Sequence, residues 1–277
     1  MNVQSELKSE GKHASLRTIC SVLGLPRSTF YYHSVATVTS RPVDLALQLE
    51  IYQIIQKYPT YGLRRIRAML YRALGQWVNR KKIHRIIKLN NWQIRRRRKG
   101  NRPRARGWAA RPDRPNELWE IDATHVMTEH GWCHLVAIID TYDRTIVGWR
   151  LSDSGSAIVA TGALEDAFRA RGIDPDNNDL TLRSDNGLIF GAKTFTGVAR
   201  RYNVSQEYIT PYTPEQNGMI ERFFRTAKEE VFWQYRIHDP DEAFTRFAEW
   251  IEWYDEGRPH SALGYLSPSE FRGKQAA

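Results

Sequence analysis

The stretch ELWEIDATHV, residues 117–126, alternates apolar and polar side chains over most of its length. Such alternation is typical of a β-strand with one buried face. Asp122 interrupts the middle of this strand, among residues that otherwise have the character of a core. A carboxylate in such a place costs free energy unless it is paired or bound to a cation. The stretch therefore predicts a strand of a sheet and an acid that needs a partner or a cation.

The residues that follow continue the strand pattern and then alternate with helices. HLVAIIDTY and TIVGWRLS flank a tight turn at Tyr142 and Asp143, which predicts an antiparallel pair in which Asp140 and Asp143 form the turn. Later segments alternate between helix and strand; they are 156–172, 180–185, 192–203, 205–210 and the helix after 218. The order βββαβαβα predicts an α/β domain with three antiparallel strands first.

Two further acids stand at informative places. Asp185 ends the predicted strand LTLRSD, and open α/β sheets place their sites at the carboxyl ends of strands. Glu221 lies near the start of the helix in TPYTPEQNGMIERFFRTAKEE, residues 210–230, at the rim of its apolar stripe and on the side of Arg225 and Lys228. The stripe predicted to face the sheet comprises Ile220, Phe223, Phe224, Ala227 and Val231.

Three carboxylates held close together repel one another and raise each other's pKa. A divalent ion removes that penalty, and Asp and Glu oxygens without His or Cys select Mg²⁺ or Mn²⁺. Two such ions, about 3.5–4 Å apart, activate a nucleophile and stabilise the leaving oxygen in phosphodiester displacement. Taken singly, Asp122, Asp185 and Glu221 are each more often structural.

The front of the chain has a different composition. Residues 1–114 hold 25 Lys and Arg against 5 Asp and Glu, a balance of +20, whereas residues 115–277 hold 16 against 26, a balance of −10. A basic part joined to an acidic part suggests that one grips a polyanion while the other holds cations. A merely soluble basic protein is the alternative.

Helical patterns fill this basic part. SLRTICSVLGLPRSTFYYH, residues 15–33, predicts two short helices around Gly24, a weak helix-turn-helix pattern. Three helices are predicted between Pro42 and residue 94, the first with an apolar face that includes Leu45 and Leu49, the last beginning at the N-cap Asn79. The cationic free face of the last helix is that of a major-groove recognition helix or of a solvated surface helix; it carries Arg80, Lys81, Arg85 and Lys88.

The segment RRRRKGNRPRARGWAARPDRP, residues 95–115, has no periodicity and is broken by Gly and Pro. It predicts a linker that follows DNA phosphates without reading sequence. Its predicted phosphate contacts begin with Arg95, Arg96, Arg97 and Arg98.

The bulk composition sets outer limits. A chain of 277 residues fits two modest domains. No apolar run approaches the roughly 18–20 residues of a membrane span, and the N-terminus lacks the apolar segment of a signal peptide. Cys20 and Cys133 exclude a disulfide framework and a cysteine zinc site. We therefore expect an intracellular protein.

At WEIDATHV, LRSDNG and YTPEQNGMIERFFRTAK the chain resembles the DDE catalytic core of the retroviral integrase superfamily. The 35 residues between Asp185 and Glu221, 186–220, match the spacing of that family. Within the superfamily the chain resembles the OrfB-type transposases of two-reading-frame bacterial insertion sequences. That resemblance rests on SLRTICSVLGLPRSTFYY, YPTYGLRRIRAML, DTYDRTIVGW and YDEGRPHSALGYLSPSEF.

The resemblance implies an RNase H-like core, a mixed five-stranded sheet with flanking helices, preceded by an all-α helix-turn-helix DNA-binding region. It implies that Asp122, Asp185 and Glu221 hold two Mg²⁺ or Mn²⁺ ions, with Asp122 bridging both. Lys228 matches a basic residue that contacts transposon-end DNA, and Arg225 is predicted to join it. The loop expected near the substrate includes Asn186, Gln216 and Asn217.

The activity implied is DNA strand cleavage by water, followed by transfer of the freed 3′-OH to another phosphodiester. The implied DNA partners are the terminal inverted repeats and target DNA. The implied protein partners are a second copy of the chain, or a larger synaptic assembly, and an upstream-frame OrfA protein. The implied location is the bacterial cytoplasm, with the nucleoid. Asp255 departs from the Asn that is commoner in the family. The predicted domain divisions are 1–40, 41–94, 95–115, 116–236 and 237–277.

Two other functions remain open at this point. A DNA-binding regulator would use only residues 15–114 and would not turn over DNA. An RNase H acting on RNA–DNA hybrids would share the metal chemistry, but would not account for the basic front of the chain.

Overall fold

A computed structural model describes residues 10–11, 14–30, 42–94, 112–210 and 213–276. The chain divides into two compact units, residues 1–44 and 45–277. The first unit contains the predicted pair of short helices, α1 (Leu16–Val22) and α2 (Arg27–Phe30). Gly24 lies in the turn between them with φ of +63°, a left-handed conformation that favours glycine. The finer domain divisions stay a prediction.

The second unit begins with the three predicted helices, α3 (Leu45–Lys57), α4 (Leu63–Leu74) and α5 (Arg80–Leu89). Asn79 caps α5 as predicted, because its side chain accepts a hydrogen bond from the backbone N–H of Lys81 at 2.8 Å. The predicted apolar face of α3 was wrong in part. Leu45 and Leu49 are 74% and 56% exposed, since the buried side of α3 runs through Leu47, Ile51 and Ile54 instead.

A five-stranded mixed sheet follows, with strand order β3-β2-β1-β4-β5. The first three strands pair antiparallel, as the sequence predicts, while β4 and β5 run parallel to β1. The parallel pairing places the end of β4 beside the middle of β1. The strands are β1 (Leu118–Thr128), β2 (Gly131–Asp140), β3 (Ile146–Ser152), β4 (Thr181–Ser184) and β5 (Ser205–Tyr208).

Helices cover both faces of the sheet. The helices that follow β3 in the chain are α6 (Ala157–Arg171), α7 (Leu188–Gly191), α8 (Lys193–Arg201), α9 (Gly218–Ala227), α10 (Pro240–Glu256) and α11 (Pro268–Ala276). Two 3₁₀ turns lie at Pro214–Asn217 and Ser261–Leu263. Trp119 and Ile121 of β1 pack in the core under α6 and α8. Val126 packs in the opposite core, under α9 and α10. Successive β1 side chains therefore serve opposite layers.

The turn between β2 and β3 is held by the two acids that the sequence assigns to it. Asp140 accepts from the Tyr142 N–H at 2.9 Å, and Asp143 accepts from the Thr145 N–H at 2.8 Å. Both carboxylates are fully buried, and Arg171 forms ion pairs with both. Their role as turn formers is confirmed.

A wide helical turn continues α9. Residues Lys228–Phe232 form a π-helical turn, closed by a hydrogen bond from the Trp233 N–H to the Lys228 carbonyl at 2.8 Å. This i to i+5 bond spans one residue more than an α-helical bond.

Glu230, in this turn, forms a buried ion-pair network. Its carboxylate accepts two hydrogen bonds from Arg258, at 2.8 and 2.7 Å, and one from Arg65 at 3.2 Å. Trp250 donates a fourth at 3.3 Å. Because Arg65 belongs to α4, the network links the helical segment, α3 to α5, to the core that contains the sheet.

Replacement of Glu230 by Ala is expected to lower the free energy of unfolding by about 3–5 kcal/mol, because Arg258 is left buried without its partner. Glu229, the neighbouring acid, makes an exposed ion pair with Arg225. Its replacement by Ala is expected to cost less than about 0.5 kcal/mol. Urea unfolding of both variants tests this, and equal losses would contradict it.

Asp255, in α10, is an acid whose negative charge is disfavoured by its surroundings. Burial raises its pKa to about 7 and Asp143 adds to the rise, whereas the Ile146 N–H, Arg272 and Arg171 oppose it. Its Oδ1 is buried and has no hydrogen-bond partner among the described residues. The fold therefore favours the protonated acid, which resembles Asn in shape.

Because the folded-state pKa of Asp255 is raised, the protonated acid stabilises the fold. This contribution is fully present below the unfolded pKa of about 4 and is lost as pH rises through about 7. We expect the urea midpoint of the wild type to fall more between pH 5 and pH 8 than that of Asp255→Asn. Asp241→Asn, at an exposed position of the same helix, should follow the wild type. Parallel curves for all three proteins would refute this account.

No helix among the described residues is both long and apolar enough to cross a bilayer.

Candidate active site

The candidate site begins on one face of β1. Glu120, Asp122 and Thr124 alternate along the strand, so their side chains leave the same face. Glu120 contacts α9 and Thr124 contacts Lys228, which identifies this face as the one under α9. Asp122 lies between them and accepts a hydrogen bond from the Ala123 N–H at 2.7 Å.

The Asp122 carboxyl is held in a place that disfavours its charge. Burial raises its pKa to about 7, and the carboxylates of Asp185, Glu221 and Glu120 raise it further. The hydrogen bond from the Ala123 N–H lowers the pKa and so opposes these effects. The structure thus places Asp185 and Glu221 within electrostatic range of Asp122. Such a set favours whatever supplies positive charge, a proton or a cation.

Asp185 directly follows β4, the parallel neighbour of β1. Its Oδ1 accepts from the Gly187 N–H at 2.9 Å, which fixes the turn after the strand. A Cβ at position 187 would lie 2.8 Å from this oxygen, so a larger residue there would displace the Asp185 carboxylate. Asn186 points its amide to the Ile209 carbonyl at 2.9 Å.

Glu221 stands in the first turn of α9 and is exposed. Partial burial raises its pKa, with a further contribution from Glu215. Its stripe neighbours Ile220, Phe223 and Phe224 are buried as predicted. Glu221 therefore lies at the edge of the core.

Glu120 fixes the start of α9, and sequence reasoning missed it. Its carboxylate is 3% exposed and accepts from the N–H groups of Met219 and Ile220 at 3.0 and 2.9 Å. Burial raises its pKa, while these two N–H groups and Arg183 act in the opposite direction. A carboxylate at a helix N-terminus is also favoured by the helix dipole. The signal available was its position two residues before Asp122, on the same strand face.

The loop before α9 is tied to the strands rather than free. Asn217 is 2% exposed, and its amide donates to the Ile121 carbonyl at 3.2 Å. Gln216 accepts from the Thr210 N–H at 2.7 Å, and its carbonyl accepts from Arg183 at 3.1 Å. Direct DNA contact by Asn217 would therefore need this loop to open. The DNA contacts of Asn186 and Gln216 stay a prediction.

Lys228 lies beside the acids. Its ammonium donates to Thr124 Oγ1 at 2.7 Å; burial lowers its pKa, and the Asp122 carboxylate opposes that shift. Arg225, one turn earlier, pairs with Glu229 at 2.7 Å on the exposed side of α9. Lys228 is thus placed next to Asp122, and Arg225 further out.

The residues predicted for groove recognition lie away from the buried stripe of α5. Arg80, Lys81 and Lys88 are exposed, while Arg85 is half-buried. The predicted linker contacts lie outside the described residues; they are Arg95, Arg96, Arg97 and Arg98. None of the four residues on α5 lies on the strand face or the helix edge that carry the three acids.

The donor set fits a hard divalent cation, since Asp122, Asp185 and Glu221 offer only carboxylate oxygens. Among the described residues, however, no three His, Cys, Asp or Glu side chains converge closely enough to hold an ion as they stand. The acids share electrostatic surroundings without forming a finished cage.

Comparison with known proteins assigns the family. Two models described as "Integrase core domain" match residues 112–214 and 202–268, and one described as "HTH-like domain" matches residues 42–100. A 31.7 kDa protein of insertion element IS407 from Burkholderia multivorans is 30% identical, over 97% of this chain and 94% of that protein. The chain belongs to the integrase-core transposases of insertion elements.

Two relatives of this transposase family come from Escherichia coli. The putative transposase InsK of IS150 is 26% identical, over 90% of each chain. The transposase InsD of IS2 is 29% identical, over 84% of this chain and 80% of that protein.

Solved structures support the fold. A chain of the simian T-cell lymphotropic virus intasome, determined by cryo-electron microscopy with the PP2A regulatory subunit B56 gamma, matches with a TM-score of 0.52 and 15% identity. The match covers 80% of this chain and 73% of that chain. The predicted fold class, the OrfB-type family and a transposase of the polynucleotidyl-transferase class are confirmed.

If Glu120 positions Glu221, Glu120→Ala will slow strand cleavage about 100-fold, the order of effect of displacing a reacting group by 1 Å. DNA affinity should change less than about 3-fold, because the exposed cations remain. Glu120→Gln, which keeps an oxygen acceptor, should recover part of the rate. Cleavage at saturating DNA, measured beside filter binding, separates the two quantities.

Glu129→Ala serves as the matched control, since Glu129 lies in the exposed turn at the other end of the β1–β2 hairpin. Loss of affinity and rate together in Glu120→Ala, or an equal effect in Glu129→Ala, would rule out a positioning role.

Proposed function

We propose that the chain binds the ends of its insertion element, cleaves a DNA strand there with Mg²⁺ or Mn²⁺, and joins the freed 3′-OH to target DNA. The observation that carries this proposal is the Asp122 carboxyl. Its charge is disfavoured by burial and by the carboxylates of Asp185 and Glu221, which come from another strand and a helix. At Asp255, the other acid whose pKa is raised to about 7, Arg272 and Arg171 oppose the rise, whereas three carboxylates add to it at Asp122.

Asp122, Asp185 and Glu221 would hold the metal, two ions with Asp122 shared between them. When bound, divalent ions activate the attacking oxygen and stabilise the leaving one in phosphodiester displacement. Glu221 is exposed, so its side chain is free to turn toward Asp122. Glu120 holds the start of α9 so that this movement stays local. Lys228 presents its ammonium beside Asp122, where it would bind a DNA phosphate.

Cleavage breaks a phosphorus–oxygen bond as water adds to the phosphorus and its proton leaves to solvent. Transfer then forms a new bond from the 3′ oxygen to a target phosphorus and expels another 3′ oxygen. Neither step needs a covalent enzyme intermediate.

DNA contacts at a distance from the acids would come from the helical segment. The exposed cations of α5, with Arg85, suit a DNA groove, and the linker cations suit phosphates. A dimer or larger assembly would bring two element ends together, and an upstream-frame protein is a further proposed partner. We also propose the domain divisions given above, with the helical segment packed on the core.

The decisive experiment uses a duplex carrying the terminal repeat of the chain's own element. Wild type should cut it with Mg²⁺ and not with EDTA. Asp122→Asn, Asp185→Asn and Glu221→Gln should each cut at least about 1000-fold more slowly, a loss of about 4 kcal/mol in transition-state stabilisation. Their DNA binding should persist.

Asp179→Asn is the control, because Asp179 is exposed and pairs only with Arg114 among described residues. A wild type that binds without cutting would indicate a DNA-binding regulator. Faster cutting of an RNA–DNA hybrid than of the end duplex would indicate an RNase H activity. Wild-type rates in the three acid variants would disprove the assigned site.

A further inference from the structure

A cavity of about 250 Å³ lies on the side of α9 opposite Glu221. Its walls come from α4, the end of β2 with the turn that follows it, α9, and the end of α10 with the segment that follows it. The charged or polar side chains that line it are Arg65, Arg144, Arg222, Thr226, Tyr254, Arg258, His260 and Ser261.

The cavity gathers four guanidinium groups from four separate elements. Glu230 pairs with Arg65 and Arg258 but does not line the cavity. Arg222 is exposed and forms no ion pair with any acid among the described residues. Arg65 and Arg258 share Glu230 behind the wall, and Arg222 adds a cation with no acid of its own among the described residues, so the cavity keeps an excess of positive charge.

Neighbouring groups respond to this charge. Burial lowers the pKa of His260, and Arg258, Arg65 and Arg144 lower it further, so His260 stays neutral. Burial also lowers the pKa of Arg65, and Arg258 adds to that effect. Like charges have been brought together at a cost that an anion would relieve.

We propose that this cavity binds a phosphate group of the DNA backbone, at a place separate from the acids. Guanidinium groups suit phosphate because their forked N–H groups match its oxygens. Ser261 adds a hydroxyl donor. The proposal takes its ligand from the proposed function, and Arg222 is the next residue after Glu221. A strand that reaches both the cavity and the acids would therefore cross the start of α9.

The salt dependence of binding counts phosphate contacts, since each contact contributes about −0.9 to the slope of log K against log salt. Arg222→Gln should reduce the magnitude of this slope by about 1 for the end-containing duplex. Arg200→Gln is the matched control, because Arg200 lies exposed on α8, away from the cavity. The slope of Arg200→Gln should change by less than half as much as that of Arg222→Gln. Equal slopes for wild type and Arg222→Gln would overturn the proposal.

Ala262→Glu gives a second test that removes no cation. Ala262 is exposed at the cavity wall, so the new carboxylate should be accommodated and should weaken DNA binding on the order of tenfold or more at low salt. Thermal melting checks that both variants fold. Unchanged DNA affinity in a folded Ala262→Glu protein would count against a phosphate at this place.

Inorganic phosphate distinguishes a DNA phosphate from a free anion. The full chain is melted in phosphate and in chloride at equal ionic strength. If phosphate raises the wild-type melting temperature but not that of Arg222→Gln, while their DNA slopes agree, the cavity holds a free anion and the proposal is wrong. If wild type and Arg222→Gln have equal slopes, the cavity proposal fails without any failure of the proposed function. The two failures are distinguishable because the binding and melting measurements omit the metal and need no cleavage.

Discussion

Two backbone N–H groups at the start of α9 donate to the buried carboxylate of Glu120, and the position of Glu221 depends on that contact. The apolar stripe of α9 holds the helix on the sheet, but apolar packing is non-directional and permits small rolls and slides. Hydrogen bonds to a charged acceptor are directional and stronger. Because Glu120 and Asp122 leave the same face of one strand, the anchor of the helix and the central acid share a rigid support.

Much of this arrangement is readable from sequence because it rests on local periodicity. The alternation around Asp122, the strand ending at Asp185 and the stripe beside Glu221 each lie within a short window. The motifs supply the fold family and the 35-residue spacing. Alternation also places Glu120 on the face of Asp122, yet its partners, Met219 and Ile220, lie about a hundred residues away and leave no local trace.

Distance along the chain explains the other differences. Glu230 sits at the rim of its helix in sequence, but it is buried by Arg258, 28 residues on, and by Arg65, 165 residues before. Leu45 and Leu49 fit an apolar face, yet the packing partners of α3 select a neighbouring side. The arginine-lined cavity is invisible to any motif, since its walls come from four elements that only the tertiary fold assembles.

The π-helical turn after α9 has a consequence for how the protein can change. Within it Lys228 faces Thr124 on the sheet, while Glu230, two positions later, faces Arg258. In a regular α-helix every residue beyond this turn would be rotated by about 100°. A one-residue deletion here would thus turn the residues after Phe232 in another direction, even though every charged side chain remained. Variation in this turn is therefore limited by length as well as by residue type.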